Sequence, residues 1–295
     1  MCCAAPATTT NCCLLKILLT IIPFYMRIKI TFHLPPARQV LPLNYQYPFS
    51  AWLYSVLESN DAAFAEFLHE HGYRLGSHKS FKLFTFSNLQ FPPNGYTIRK
   101  GSDRMQLRCE SAWLVVSFAL PDAMQHFISG LFRNQQMKIG DRTSQAEMAV
   151  ASVEMLPEPE FADKMRITAL SPVVISSNDA DDKYEQYLDP HHAGYAQLFF
   201  KNLTDKHHVW QQYAGQEPTH FEAATLSFRC LTQHPKSRLQ TIKANTDAQV
   251  RVRGFLYDFE IAAPAALIKT GYDSGFGAMN ATGFGCGEVM DNPHP

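Results

Sequence analysis

The feature that most restricts this chain is a series of hydrophobic periods that runs twice through the same order. Arg27 to His33 alternates, with Ile28, Ile30 and Phe32 on one face, as a half-buried strand does. Pro48 to Glu58 then carries Phe49, Trp52, Leu53, Val56 and Leu57 at helical spacing. Asp61 to His71 repeats that spacing with Phe64, Phe67, Leu68 and His71, which predicts His71 as a packed side chain. Segments 81–91 and 111–120 read as strands, and between them lies a basic hairpin turning at Gly101-Ser102-Asp103. Pro121-Asp122 opens a helix carrying Met124, Phe127, Ile128, Leu131 and Phe132, and a strand around Met148–Glu154 closes the series. The order is β-α-β-β-α-β, the split βαβ arrangement called ferredoxin-like.

Residues 155–163, rich in proline and acid, form a natural linker, after which the order recurs. Arg166 to Ser176 reads as a strand and Tyr184 to Tyr213 as a helix with an interruption at Asp189-Pro190. Phe221–Leu231 and Gln249–Ile261 read as strands, "PAALIKTG" as a short helix, and the tail leads to a last strand. The fold class expected is α+β, with two tandem ferredoxin-like (RRM-like) domains over 26–154 and 164–295. A chain of 295 residues is long enough for both cores.

The net charge of −1 advertises no polyanion partner, but the charges are segregated. Arg74 to Arg108 holds seven Lys/Arg against one acid, Arg229 to Arg253 six against one, and Glu154 to Asp189 nine acids against three bases. Local field steers an anionic ligand, so two basic stretches can line a positive groove. The acidic stretch is expected to face away from such a ligand or toward a protein partner. Four of the seven cysteines fall in the first thirteen residues, and Cys109, Cys230 and Cys286 have no metal-ligand spacing. Reduced thiols in the cytoplasm are the simplest expectation. The apolar run 12–25 is broken by Lys16 and Pro23, lacks a preceding basic region and is too short for a membrane span. Because a well-formed strand begins just after Met26, that methionine is expected to be the true start, with 1–25 a non-native or disordered extension.

Residues 271–289, "GYDSGFGAMNATGFGCGEV", hold six glycines, a density that asks for positive φ or close approach to a neighbour. A dinucleotide fingerprint would follow a strand and open a helix early in a βαβ unit, and here the glycines close the chain. Two readings stay open: glycine turns between the last helix and strand, or a backbone amide surface that meets phosphates, with Lys269 adding a positive charge upstream.

Gly275-Phe276-Gly277 and Gly283-Phe284-Gly285 form a G-x-G-x(5)-G-x-G loop near the C-terminus. After tandem ferredoxin-like domains, that loop resembles the signature of the CRISPR repeat-RNA-processing endoribonucleases of the repeat-associated mysterious protein (RAMP) superfamily. "LPLNYQYPFSAWLY" (41–54), "FAEFLHEHGY" (64–73), "KLFTFS" (82–87) and "LSPVVI" (170–175) resemble the same family in order and spacing. The resemblance spans Met26 to Met290.

The resemblance implies cleavage of CRISPR precursor RNA within each repeat, without metal or other cofactor. The RNA's own 2′-hydroxyl attacks the adjacent phosphate, leaving a 2′,3′-cyclic phosphate and a 5′-hydroxyl. Such a step needs a base, an acid and a cation for the phosphorane. The family's tyrosine, histidine and lysine map onto Tyr54, His69 and Lys82. Tyr54 and His69 sit at the edge of their apolar stripes, where a side chain can meet a ligand. His71 stays an alternative to His69, and Lys79 to Lys82. RNA binding is expected from Arg99, Lys100, Arg104 and Arg108 on the hairpin, and from Arg251 and Arg253, which share a strand face with Phe255 and Tyr257 unless Gly254 makes a bulge. Those two rings read either as core against a helix or as stacking surfaces for bases. It is also expected from Lys269 and the loop glycines Gly275, Gly277, Gly283 and Gly285. The partner implied is CRISPR repeat RNA. Other CRISPR-associated effector subunits and a homodimer stay open, and so does a non-catalytic RNA-binding subunit of the same superfamily as the alternative function.

Overall fold

The structure is a computed structural model that describes residues 26–35, 39–76, 79–177, 185–244 and 246–290. The N-terminal extension considered above lies outside those residues. Alternation in β1 (Arg27–His33) puts Ile28, Ile30 and Phe32 on one face, where all three are fully buried. Helix α1 (Gln46–Asn60) packs against that face, and the short α2 (Ala62–Glu66) follows it. Next come the strand β2 (Phe84–Phe86) and a hairpin of β3 (Tyr96–Ile98) with β4 (Arg104–Leu107). The long strand β5 (Ser111–Phe118) leads into α3 (Pro121–Arg133), the second helix of the layer. Strands β6 (Gln136–Gly140) and β7 (Gln145–Met155) complete a five-stranded sheet in the order β2-β5-β1-β7-β6. Ile30 pairs with Leu114 on one side and Val153 on the other, which sets the register of the three central strands. Contacts of Phe32 with Phe49 and Trp52, and of Phe118 with Phe127, join the sheet to both helices. Each such fully buried side chain contributes about 1.5–3 kcal/mol through the water it sheds.

The second unit repeats the plan. Its strands are β8 (Lys164–Ala169), β9 (Ser227–Cys230), β12 (Asp258–Ala262) and β13 (Gly287–Val289), in the order β9-β12-β8-β13. Between β9 and β12 in the chain a separate hairpin, β10 (Lys236–Ile242) with β11 (Val250–Leu256), stands apart from the sheet. Helices α4 (Tyr195–Tyr213) and α5 (Ala265–Ser274) supply the helical layer. In both units the first and third strands lie side by side at the centre with the second and fourth outside them, the ferredoxin-like order. The units are tied together by Arg27 of β1. Its guanidinium bonds the Gly287 carbonyl at 2.6 Å and the Glu288 carboxylate at 3.1 Å, and lies 4.0 Å over the Tyr272 ring.

Several elements differ from the sequence expectation. Helix α4 begins at Tyr195 rather than near residue 184; Gln186–Tyr187 instead pairs with Ser176–Ser177, and Asp189 starts a turn. Tyr184 itself lies outside the described residues. Segment 81–91 is broken at Leu83, whose φ of 51° interrupts the strand. Phe132 is 72% exposed, since it lies one position off the Met124–Phe127–Leu131 stripe that α3 buries. Among the described residues no helix is long and apolar enough to cross a membrane.

Candidate active site

Helix α1 buries Phe49, Trp52, Leu53, Val56 and Leu57 and leaves Tyr54 half-buried on its flank. Asp61 caps α2 by accepting the Phe64 N–H at 2.9 Å. The helix then widens into a π-turn, Phe67–His71, closed by the Gly72 N–H on the Phe67 carbonyl at 2.7 Å. One extra residue in that turn rotates everything after Phe67 relative to an α-helical stripe. His71 therefore points to solvent with Arg74 at 3.4 Å, against the packed position expected of it, and His69 swings toward α1. The Tyr54 and His69 rings meet edge to face with centroids 4.9 Å apart.

Lys82 follows the strand Lys79–Phe81 and lays its ammonium on the His69 carbonyl at 2.6 Å. Gly72 makes room for it: at φ +64° a Cβ there would stand 2.7 Å from the Phe81 carbonyl and 2.9 Å from Lys82 Cδ. Lys79 is otherwise engaged, on Asp205 at 2.6 Å. Tyr54, His69 and Lys82 thus converge in a cleft of about 890 Å³, walled opposite by Met279–Thr282.

The electrostatics give each group a distinct capacity. Burial raises the Tyr54 pKa, so the phenol stays protonated and is a donor. Burial lowers that of Lys82, with Glu70 opposing the shift. His69 Nδ1 lies 2.6 Å from Glu70 Oε1, and that bond holds the Glu70 carboxyl below its ordinary range. An ionised carboxylate only accepts, so Nδ1 of the neutral ring carries the proton and Nε2 holds the lone pair. The His69 side chain is 62% exposed, open to a ligand in the cleft. Glu70 escaped the sequence reading because an exposed glutamate beside a histidine carries no signal of its own.

The basic residues divide. Arg104 and Arg251 both line a second cleft of about 1090 Å³, joined there by Arg142, Arg238 and Lys243, which the sequence did not single out. Tyr47 and Lys243 line both clefts, so the basic groove runs into the one holding His69. Asn44 fixes the β10–β11 hairpin to the first unit through both Thr241 backbone groups, at 2.6 and 2.9 Å. Arg104 also pairs with Asp141 at 2.5 Å. Arg99, Lys100, Arg108 and Arg253 line neither cleft. Gly254 makes no bulge, the β10–β11 register running unbroken, yet Phe255 and Tyr257 sink into the core and offer no ring to a base.

Lys269 is placed elsewhere, with its ammonium 2.7 Å from Glu158 and 2.9 Å from Asp273. Gly275, Gly277, Gly283 and Gly285 are all buried with positive φ, and Phe276 and Phe284 between them are fully buried. A Cβ would meet the Val174 carbonyl at 2.4 Å from Gly277 and the Phe276 carbonyl at 2.0 Å from Gly285. Of the two roles left open for these glycines, the close approach is to protein. Only the loop's crest, Ala278–Thr282 apart from Asn280, reaches solvent, and it does so in the wall of the His69 cleft.

A family model described as CRISPR-associated protein Cas6, N-terminal, matches residues 40–149, and one described as CRISPR associated protein Cas6, C-terminal, matches residues 156–289. The CRISPR-associated endoribonuclease Cas6 1 of Methanocaldococcus jannaschii is 27% identical over 248 residues, 83% of this chain and 86% of the relative. The CRISPR-associated endoribonuclease Cas6 of Pyrococcus furiosus is 23% identical over 252 residues, 85% and 84% of the two chains. Among solved structures, the product of a Cas6-related gene from Pyrococcus furiosus superposes with a TM-score of 0.71 at 20% identity, over 90% of this chain and 98% of that one. A RAMP protein described as binding different RNA substrates gives 0.72 at 18% identity, over 90% and 100%. These likenesses establish the tandem ferredoxin-like fold, and the two models between them take in nearly everything from residue 40 to residue 289. The chain is a member of the Cas6 family.

Proposed function

We propose that this protein is a metal-independent endoribonuclease that cleaves CRISPR precursor RNA within its repeats, with Tyr54, His69 and Lys82 as its catalytic residues. The observation that carries this reading is the meeting of those side chains in one open cleft, from three separate elements, in a chain of the Cas6 family. His69 Nε2 takes the proton of the attacking 2′-hydroxyl, or returns one to the departing 5′-oxygen, a task suited to an imidazole near neutrality. The Tyr54 phenol, kept protonated by burial, donates to the leaving oxygen or to a non-bridging phosphate oxygen. The Lys82 ammonium supplies positive charge to the crowded phosphorane. The bond from the phosphorus to the 5′-oxygen breaks as the one to the 2′-oxygen forms. The products are a 2′,3′-cyclic phosphate and a 5′-hydroxyl.

Single-stranded repeat RNA reaches the cleft along the groove of Arg104, Arg142, Arg238, Lys243 and Arg251, held by charge and read by whatever the walls offer its bases. The test is incubation of the full chain with RNA of the repeat encoded beside its gene, in excess EDTA, beside His69→Ala. Products ending in cyclic phosphate that vanish in the variant are expected. Tight binding without cleavage by the unaltered protein would favour a non-catalytic RNA-binding subunit instead.

A further inference from the structure

Lys206 on α4 is 2% exposed, and among the described residues it has no carboxylate partner. Its ammonium is met instead by three oxygens: the carbonyls of Gly275 and Gly277, each at 2.5 Å, and Asn280 Oδ1 at 2.6 Å. Burial pushes the Lys206 pKa well down, and three acceptors matching the three protons of an ammonium group oppose that shift, so the loop's first turn is wrapped around the lysine head. Asn280 passes the constraint on, its amide donating to the Phe276 and Phe284 carbonyls at 3.2 and 3.0 Å. The next residue, Ala281, accepts the Ser50 hydroxyl at 2.6 Å. Ser50 lies on α1 one helical turn before Tyr54, on the same side of the helix, and both line the His69 cleft. Two hydrogen bonds of 2.6 Å, linked by the Asn280–Ala281 peptide bond, therefore join a buried lysine of the second unit to the helix face that presents Tyr54.

We propose that Lys206 is a positioning residue: through the glycine-rich loop and Ser50 it sets where α1 holds the Tyr54 hydroxyl against His69. The proposal rests on the assignment of Tyr54 and His69 as catalytic. It explains why a loop of buried glycines stands in the wall of an RNA-cleaving cleft. The glycines let the backbone fold tightly enough for two of its carbonyls to reach one ammonium, and the crest is delivered to α1 as a result. Lys206 touches no substrate in this scheme, and its effect falls on the rate of the bound complex.

The experiment measures single-turnover cleavage of repeat RNA at saturating protein for Lys206→Met, Ser50→Ala and the double variant. Affinity is read with the same RNA carrying a 2′-deoxy group at the scissile nucleotide. Each single variant is expected to cleave about 10- to 100-fold more slowly with affinity unchanged, the scale of a small misplacement of reacting groups. The double variant should be no slower than the slower single one, since both cut the same connection. Wild-type rates in the single variants, additive losses in the double, or a loss confined to affinity would each overturn the proposal. If Lys206→Met does not fold, Ser50→Ala decides, since it removes one hydroxyl from an otherwise intact helix. His69→Ala in the same series separates the two levels, because full cleavage by that variant sinks the site assignment itself.

Discussion

The two halves of the molecule use the same three residue types for opposite ends. In the first, Tyr54, His69 and Lys82 meet at the edge of an open cleft, with polar atoms left free to a ligand. In the second, Lys206 is saturated by three loop oxygens, His207 bonds Thr270 at 2.7 Å, and the hydroxyls of Tyr195 and Tyr257 bond each other at 2.5 Å, all of them buried. The topology is common to both halves, so it is not what makes the difference. What differs is the backbone beside the trio. The π-turn of the first half gives up hydrogen-bond regularity to turn His69 toward α1 and the cleft, while the glycine-rich loop of the second folds inward until the Lys206 head has three acceptors. The same residue types stay open to a cleft where packing leaves hydrogen-bonding capacity over and are closed off where packing completes it.

Exchanging the test between the halves gives the largest effect. His69→Ala is expected to lower single-turnover cleavage by about 10²- to 10⁴-fold, the span of a lost general acid–base group, with the melting temperature unchanged. His207→Ala should do the reverse, leaving the rate of the folded fraction alone and lowering the melting temperature. A melting loss in the first variant equal to that in the second would break the division.

The glycines sharpen it next. Gly76 in the first half, at φ +62°, has open space where a Cβ would go, whereas Gly285, at φ +77°, would place one 2.0 Å from the Phe276 carbonyl. Gly76→Ala should cost about 1–2 kcal/mol from left-handed backbone alone, and Gly285→Ala more than about 4 kcal/mol, since backbone must move. Chemical denaturation of both variants measures the contrast, and equal losses would mean that the loop has room to relax.

The second half also predicts a pH response. Burial drives the His207 pKa down to about 4 from an ordinary 6.5, so the folded protein resists a proton that the unfolded chain accepts. Its stabilisation is full above 6.5 and is lost as pH falls through that window. Burial raises Asp273 to about 6 from 3.8, with Lys269 opposing, so the folded state gains there as pH falls through nearly the same window. The two slopes oppose each other. Asp273→Asn should therefore expose a loss of up to about 3 kcal/mol between pH 6.5 and 4, because each tenfold change in a protonation equilibrium is worth about 1.4 kcal/mol. Screening by neighbouring polar groups and by the solvent beyond them reduces that figure. Melting curves that superpose on the unaltered protein's across that range would refute the pairing.

How much of this was legible in the sequence follows from how each segment is buried. The alternation of Ile28, Ile30 and Phe32 shows because one face of β1 is dry and the other partly wet, and the helical stripe of α1 shows for the same reason. The β10 strand does not, since Lys236 to Leu239 are all exposed and leave no alternation to read. Nor does the π-turn, which depends on a hydrogen-bond choice made in three dimensions and sends His71 outward where the stripe predicted it inward. Tyr54, His69 and Lys82 could be named from the family likeness, and their convergence needed the fold. Lys206 had a signal that went unread: it falls on the Phe199–Leu203 stripe of α4, where a lysine is either misplaced or wrapped. The glycines pointed to close approach, and the fold shows protein as what is approached.

The smallest predicted effect concerns the paired phenols. Tyr195 and Tyr257 bury both hydroxyls with each other as partner, and burial raises both pKa values, so the pair is a neutral hydrogen bond between protonated groups. Tyr257→Phe deletes one hydroxyl and strands the other without water, which should cost about 1–3 kcal/mol. Tyr195→Phe should cost a similar amount. The double variant removes both polar atoms while keeping both rings, including the contact of Tyr195 with Phe228, and should lose less than the two singles together. Denaturant titrations of the four proteins supply the cycle. Simple additivity would mean that each hydroxyl works independently, and the second half would then be less completely self-satisfied than its geometry indicates. A double variant close to the unaltered protein would mark the pair as interchangeable packing. Tyr54→Phe in the first half, by contrast, should leave stability alone and slow cleavage, as the role proposed for its hydroxyl requires.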